Sequence, residues 1–115
     1  MTALHGLSNC DTVKKARAWL DDHGVAYRFV DFKREPPTRA QLAGWCRAVG
    51  HTALVNRRGT TWRALPAVTQ AAAADEAGAI AAMLAAPSLI RRPVLEHGGA
   101  VVVGFDADDY AARFA

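Results

Sequence analysis

The amino-acid sequence predicts an α/β fold in which a mixed four-stranded sheet is flanked by helices. Three observations support this prediction: a short apolar segment leads into an amphipathic helix, a long middle region has helical character, and two apolar segments near the C-terminus flank a glycine turn. The chain has 115 residues, of which 51% are hydrophobic and 22% charged. We therefore expect one compact domain spanning 1–115.

The first third of the chain predicts a β-α-β unit. Residues 2–7 form a short apolar run that ends in turn-forming residues, as a buried strand does before a loop. Residues 12–23 carry apolar side chains at helical spacing, and Gly24 then supplies a stop. Residues 26–32 alternate between two faces, which is typical of a strand.

A helical insertion of about 36–86 is predicted to follow this unit. Thr38 is placed to cap its first helix, which we expect over 38–49. Residues 51–65 are less periodic and predict a short helix or a loop on the surface. Residues 69–86 are rich in alanine and predict a single helix.

The C-terminal third predicts a hairpin and a closing helix. Strands are expected over 89–95 and 100–105, on either side of the glycine turn. Asp106 is placed to cap the last helix, which we expect to continue to about Phe114. The order β-α-β, helical insertion, β-β-α is the arrangement of thioredoxin-like domains.

Charge and hydropathy exclude several functional classes. The 14 basic and 11 acidic residues leave a net charge of +3, which is too weak to indicate direct nucleic-acid binding. No segment reaches the roughly 18 uninterrupted apolar residues of a membrane span, and the N-terminus lacks the pattern of a secretory signal. We therefore expect a cytoplasmic protein with no membrane contact. The four histidines show no metal-ligand spacing, so no metal is expected.

Cys10 is the candidate nucleophile. It lies in the turn after the first predicted strand and at the head of a helix, where unpaired N–H groups and the helix dipole favour a thiolate. Such positions lower a thiol pKa to about 3.5–7.5. The alternative is a cysteine packed as a small apolar residue. The polar neighbours Asn9, Asp11 and Thr12 argue against burial and are candidate residues for binding substrate or glutathione.

A second thiol does not follow Cys10 within three residues, so an internal C-x-x-C redox pair is excluded. A single-thiol enzyme needs another thiol to release its covalent intermediate, and we expect glutathione or a partner protein to supply it. Cys46 could also do so, but its place on the apolar stripe of a predicted helix favours a role in the core.

Two arginine pairs are candidate anion-binding groups. Arg57, Arg58, Arg91 and Arg92 could hold the negative charge of an oxyanion or of a glutathione adduct, for which the guanidinium fork is better suited than lysine. The alternative is a solvated basic surface. The bond between Arg92 and Pro93 is also able to adopt the cis form, which would present backbone groups to a molecule bound at the thiol.

Three motifs taken together carry a family resemblance. They are G-L-S-N-C-D-T-V-K-K-A at 6–16, L-V-N-R-R-G-T-T-W-R at 54–63 and P-S-L-I-R-R-P-V-L at 87–95. With these motifs the sequence resembles the ArsC/Spx family over essentially its whole length, and most closely the YffB-like branch. The resemblance implies a thioredoxin fold with a helical insertion after the second strand. Members of the family include arsenate reductases that use glutathione and glutaredoxin, and Spx-type regulators that bind RNA polymerase.

The resemblance also implies roles for individual residues. Cys10 matches the catalytic cysteine, Arg92 matches the arginine before the proline, and the arginine of the middle motif falls at Arg57 or Arg58. Arsenate reductases carry a third arginine on the last strand, and 101–105 contain none. The C-x-x-C switch of many Spx-type members is absent as well.

These observations lead to the hypothesis of a glutathione-dependent thiol reductase with a single nucleophilic cysteine. Its expected substrate is a small oxyanion, arsenate included, or a disulfide; glutathione is the co-substrate, and no tightly bound cofactor is expected. Glutaredoxin is a further candidate partner. The main alternative is a non-catalytic regulator that binds the alpha subunit of RNA polymerase, and the third is a thioredoxin-like domain that has lost its activity.

Overall fold

Strand β1 (Thr2–Gly6) lies at the centre of the sheet in the computed structural model, which describes residues 1–115. The strand order is β2-β1-β3-β4, with β2 at Arg28–Asp31, β3 at Val94–His97 and β4 at Ala100–Val103. Strand β2 is parallel to β1, whereas β3 is antiparallel to β1 and β4 to β3. The mixed four-stranded sheet and the order of elements predicted from the sequence are confirmed.

Two helices complete the part of the chain that carries the sheet. Helix α1 spans Asp11–Asp22, and the C-terminal helix, which we label α7, spans Ala107–Arg113. Leu4 and Leu95 of the sheet, Ala16 and Leu20 of α1, and Tyr110 of α7 form a fully buried core cluster. The amphipathic pattern that predicted α1 thus arises from contacts with one face of the sheet.

Glycines and an aspartate set the ends of these elements. Gly24 follows α1 with a φ of +67°, a conformation that ends a helix without strain only when the residue is glycine. Gly98 and Gly99, at φ values of +56° and +82°, form the two-residue turn between β3 and β4. Asp106 caps α7 by accepting a hydrogen bond from the Asp109 N–H at 3.1 Å.

The middle of the chain is helical. Its elements are α2 (Arg39–Val49), α3 (His51–Leu54), α4 (Thr60–Ala64), α5 (Ala67–Ala72), α6 (Glu76–Ala85) and a 3₁₀ turn at Pro87–Leu89. The prediction that Thr38 caps the first of them is confirmed: its side chain accepts a hydrogen bond from the Gln41 N–H at 3.1 Å, and the Gln41 side chain accepts one from the Thr38 N–H at 2.9 Å.

Contacts divide the chain into two units. The first consists of Met1–Arg34 and Arg92–Ala115, and the second of Glu35–Arg91. The insertion predicted over 36–86 lies within the second unit. Whether the whole chain folds as one cooperative domain stays a prediction. None of the helices is long and apolar enough to cross a membrane.

The predicted single helix over 69–86 is wrong, because the chain breaks it between α5 and α6. Asp75 caps α6 by accepting a hydrogen bond from the Gly78 N–H at 2.7 Å, which starts a new helix in place of continuing the old one. Gly78 also lies against the carbonyl of Ala72, where a Cβ would overlap the oxygen. Gly78 therefore allows the two helices to approach closely.

The predicted strand over 89–95 is also displaced toward the C-terminus. Its first residues form the end of the 3₁₀ turn and an isolated bridge between Ile90 and Val55, and β3 begins only at Val94. The Arg92–Pro93 peptide bond is cis, and Pro93 has no N–H to donate to a strand partner. The apolar run in the sequence thus spans two different structural environments.

Candidate functional site

Cys10 occupies the N-cap position of α1, immediately after the turn that leaves β1. Its backbone N–H donates a hydrogen bond to the Leu7 carbonyl at 3.1 Å, and its carbonyl accepts one from the Lys14 N–H at 3.0 Å. The backbone is extended at φ −85° and ψ 126°, as at most N-caps. Hydrogen bonds on both sides therefore hold the residue in place, and its side chain is half-buried.

The surroundings of Cys10 favour the thiolate. Burial raises the pKa of this thiol, but the Val13 N–H, the Arg92 side chain and the Thr12 N–H act in the opposite direction, and the net pKa is lowered. The side chain makes no capping hydrogen bond of standard geometry. The N–H groups at the start of α1 therefore act on the sulfur chiefly as directed dipoles.

Arg92 and Pro93 come to this site because of the sheet order. Strand β3 lies beside β1, with Val94 opposite His5, so the residues before β3 reach the end of β1 at which Cys10 lies. Arg92 is half-buried and Pro93 is buried. The Pro93 carbonyl accepts a hydrogen bond from the Gly104 N–H at 2.9 Å, which ties the cis-proline segment to the end of β4.

The other predicted binding residues near the thiol are exposed. Asn9, Asp11 and Thr12 surround Cys10 in sequence and face solvent, where a bound molecule could reach them. Their roles in binding stay predictions, apart from the effect of the Thr12 N–H on the sulfur.

Three predicted arginines belong to the second unit. The Arg57 guanidinium lies 5.3 Å from the centre of the Trp62 ring, and the Arg58 N–H donates a hydrogen bond to Asn56 Oδ1 at 3.1 Å. The Arg91 N–H donates to the Leu54 carbonyl at 2.8 Å. All three side chains are exposed. Arg92 is thus the one member of the two arginine pairs that belongs to the same unit as Cys10.

Cys46 differs from Cys10 in exposure and in the direction of its net pKa shift. It lies on the buried face of α2 with 4% of its surface exposed. Burial raises the pKa of its thiol, and the negative charge of Glu76 raises it further. Both cysteines are free thiols. The position and acidity of Cys46 support the predicted core role.

Sequence reasoning missed the contribution of Gly6. We interpreted this residue as a turn signal, whereas it is the buried last residue of β1, paired with Asp31 of β2. A Cβ at this position would lie 2.7 Å from Cγ2 of Val13. The available signal was the glycine itself, placed at the end of an apolar run shortly before the first apolar residue of an amphipathic helix.

The chain is similar to several proteins over its full length. The solved structure of the YFFB protein shares 50% identity with a TM-score of 0.96, and each chain covers 100% of the other. A solved arsenate reductase (ArsC) related protein from Brucella melitensis shares 44% identity with a TM-score of 0.77, over 98% of this chain and 93% of that one. An uncharacterized protein of Haemophilus influenzae is 35% identical over 100% of both chains.

A more distant relative carries a regulatory name. The global transcriptional regulator Spx of Listeria innocua is 23% identical over 95% of this chain and 83% of its own length. The model of the ArsC family matches residues 5–113, which include the last two residues of β1, the other three strands and the segments around Cys10 and Arg92. The thioredoxin-like fold predicted from the sequence is confirmed, and the chain belongs to the ArsC family.

Proposed function

We propose that this protein is a glutathione-dependent thiol reductase in which Cys10 is the nucleophile. The observation that carries the proposal is the placement of a half-buried thiol with a lowered pKa beside the Arg92 guanidinium and the first N–H groups of α1. The similarity to an arsenate reductase related protein at 44% identity supports a reductase in general terms. Glutathione is proposed because no second thiol follows Cys10 in a C-x-x-C arrangement.

The proposed reaction begins when the Cys10 thiolate attacks one sulfur of a substrate disulfide. That S–S bond breaks, a new one forms to Cys10, and the other sulfur leaves as a thiolate that takes a proton from water. A glutathione thiolate then attacks the mixed disulfide and releases Cys10, and a second glutathione releases the remaining half of the substrate. The substrate disulfide gains two electrons, and two glutathione molecules become one glutathione disulfide.

The residues around Cys10 have distinct roles in this proposal. Arg92 stabilises the attacking thiolate and later the thiolate that leaves, and the N–H groups of Thr12 and Val13 act in the same direction. Asn9, Asp11 and Thr12 are proposed to contact substrate or glutathione from the exposed side. The role of Arg57 or Arg58 in holding negative charge stays a prediction, based on the middle motif.

Arsenate is a second proposed substrate for the same thiol. Its reduction would consume two glutathione molecules and release arsenite, water and one glutathione disulfide. The last strand carries no arginine, so we place disulfide chemistry ahead of arsenate reduction. We also propose a cytoplasmic location, since glutathione is kept reduced there, and glutaredoxin as an additional reductant of the mixed disulfide.

Mass spectrometry after incubation with oxidised glutathione tests the proposal. We expect a glutathione adduct on Cys10, with Cys46 unmodified because it is buried. Cys10→Ser should abolish both the adduct and glutathione-dependent reductase activity, whereas Cys46→Ala should keep both. An adduct on Cys46 alone, or full activity in Cys10→Ser, would overturn the proposal.

The similarity to Spx supports a second candidate function, a regulator that binds RNA polymerase without catalysis. A pull-down with the polymerase alpha subunit separates the two candidates. Binding that is equal in wild type and Cys10→Ala, together with no turnover of any disulfide or arsenate, would favour the regulator. Turnover that depends on Cys10, with no binding to the alpha subunit, favours the reductase.

A further inference from the structure

Gly6 leaves a space at the end of β1 that the side chain of Val13 occupies. Gly6 is buried, and Val13 is fully buried at 0% exposure. A Cβ added to Gly6 would lie 2.7 Å from Cγ2 of Val13 and 3.5 Å from Cγ1. Ordinary contacts of such an atom begin at about 3.4 Å and contacts under 3.0 Å essentially never occur, so an alanine here would force the two residues at least about 0.3 Å apart.

Neither side of this contact can yield easily. The Gly6 backbone is fixed at the end of β2, because it pairs with Asp31 and its carbonyl accepts a hydrogen bond at 2.8 Å from the N–H of Phe32, the residue after β2. Val13 is β-branched and has one strongly preferred rotamer in a helix, so its side chain cannot rotate away without cost. A displacement at Gly6 would therefore be passed to the first turn of α1.

The first turn of α1 is the part of the helix that faces the Cys10 sulfur. The N–H groups of Val13 and Thr12 belong to it, and each of them lowers the pKa of the thiol. The effect of the helix dipole on a nearby charge falls off within the first turn of the helix. The effect of each N–H group on the sulfur therefore depends strongly on its distance and direction. Small movements of Val13 therefore change the stability of the thiolate.

We infer that Gly6 is a positioning residue, whose missing side chain lets Val13 seat against β1 and so directs the first N–H groups of α1 at the Cys10 sulfur. The inference rests on the proposed function, in which Cys10 is the nucleophile. It adds a residue that touches neither substrate nor glutathione but sets how reactive the thiol is. Arg92, which approaches from β3, acts independently of this contact.

A double-mutant cycle tests the inference. The readout is the pH dependence of Cys10 alkylation by iodoacetamide, followed by mass spectrometry of the peptide that contains Cys10. We expect Gly6→Ala to move the profile to higher pH and to slow alkylation about threefold or more at a pH below its midpoint. In the Val13→Ala background the same change should have little effect, because the nearest remaining atom is Val13 Cβ, at 3.7 Å from the added methyl.

Gly44→Ala is the matched control. Gly44 lies in α2, and a Cβ there would meet only Arg47, at 3.7 Å, so this substitution should leave the alkylation profile of Cys10 unchanged. An unshifted profile in Gly6→Ala, or an equal shift in both backgrounds, would overturn the inference. If Gly6→Ala does not fold, the Val13→Ala variant decides, because it empties the same space from the other side. An alkylation profile of Cys10 that moves to higher pH in Val13→Ala supports the inference, and an unchanged profile rejects it.

These outcomes are separate from those of the proposed function. If the wild-type Cys10 thiol is acidic and Gly6→Ala leaves its alkylation profile unchanged, only the positioning role of Gly6 is rejected. If Gly6→Ala shifts the alkylation profile, Val13→Ala suppresses that shift and the protein has no reductase activity, the positioning role stands and the proposed reaction is rejected.

Discussion

The Arg92 side chain lies beside the Cys10 sulfur and lowers the pKa of that thiol, although the helical insertion separates the two residues in the sequence. The contact exists because β1 and β3 are neighbours, so the end of one strand meets the start of the other. A charged donor beside a half-buried sulfur stabilises the thiolate more than a neutral donor does. Arg92 and the N-terminus of α1 therefore approach the same atom from different parts of the chain.

Arg92→Lys should weaken the contact between this side chain and the Cys10 sulfur. The effect should be larger than that of removing a solvent-exposed charge elsewhere. Lysine retains the charge but lacks the fork of donors, so we expect a loss of about 1 kcal/mol, or about fivefold in the alkylation rate of Cys10 at neutral pH. Arg91→Lys is the matched control, because that side chain is exposed and only its backbone is bonded within the fold. Equal rates in the two variants would remove the role assigned to Arg92.

The two cysteines should make opposite contributions to the pH dependence of stability. Folding lowers the pKa of Cys10 from its ordinary value of 9.0. The Cys10 thiolate therefore adds to the free energy of unfolding above pH 9.0, and this stability is lost as the pH falls through the lowered pKa. Folding raises the pKa of Cys46, so stability is lost as the pH rises above 9.0.

Urea unfolding at a series of pH values measures both effects. The stability of wild type relative to Cys10→Ser should increase as the pH approaches 9.0. The stability of wild type relative to Cys46→Ala should decrease above 9.0. A difference between wild type and Cys10→Ser that is constant with pH contradicts the lowered pKa of Cys10.

Removal of the Tyr110 hydroxyl should not destabilise the protein. Tyr110 is fully buried, and its hydroxyl has no hydrogen-bond partner, so the folded state bears the cost of removing that group from water. Tyr110→Phe keeps the ring contacts with Trp19 and Phe105 and should raise the free energy of unfolding by up to about 1 kcal/mol.

Tyr27→Phe provides the comparison for Tyr110→Phe. Its hydroxyl accepts a hydrogen bond from Arg17 Nε at 3.3 Å, so its removal should cost about 0.5 kcal/mol. Thermal and urea unfolding of both variants give the result. A loss above about 1 kcal/mol in Tyr110→Phe means that the hydroxyl is hydrogen-bonded in solution.

Gly78→Ala should be strongly destabilising, although alanine is the better helix former. A methyl group at this position would overlap the carbonyl of Ala72, so α5 and α6 would have to separate, at a cost of about 2–3 kcal/mol. Gly44→Ala has space and should stabilise α2 by up to about 1 kcal/mol. If the two variants have the same unfolding midpoint, the close approach of α5 and α6 is not important for stability.

The sequence predicted the elements whose signals are local. The apolar spacing of α1, the capping residue Thr38 and the glycine pair of the hairpin each determine their structure through neighbours a few residues away. The break between α5 and α6 was missed because it depends on a contact between helices, which a run of alanines does not reveal. Local propensity continues a helix there, and packing ends it.

The site was predictable in part for the same reason. The place of Cys10 at the head of a helix is a local feature and could be recognised. The approach of Arg92 depends on the order of the strands; the arginine pair before Pro93 and the family motifs made it a candidate, but no local pattern determines the contact. The contact between Gly6 and Val13 leaves almost no trace in the sequence, because a glycine at a strand end usually indicates a turn.

The central position of β1 has a consequence for protein synthesis. β1 is made before its neighbour β3, which begins at Val94, so the nascent chain cannot complete the sheet until the residues through β4 have left the ribosome. Arg92 is translated at the same late stage. The thiol of a growing chain therefore lacks its guanidinium partner and keeps a more ordinary acidity. The full lowering of its pKa therefore requires β3 to pair with β1.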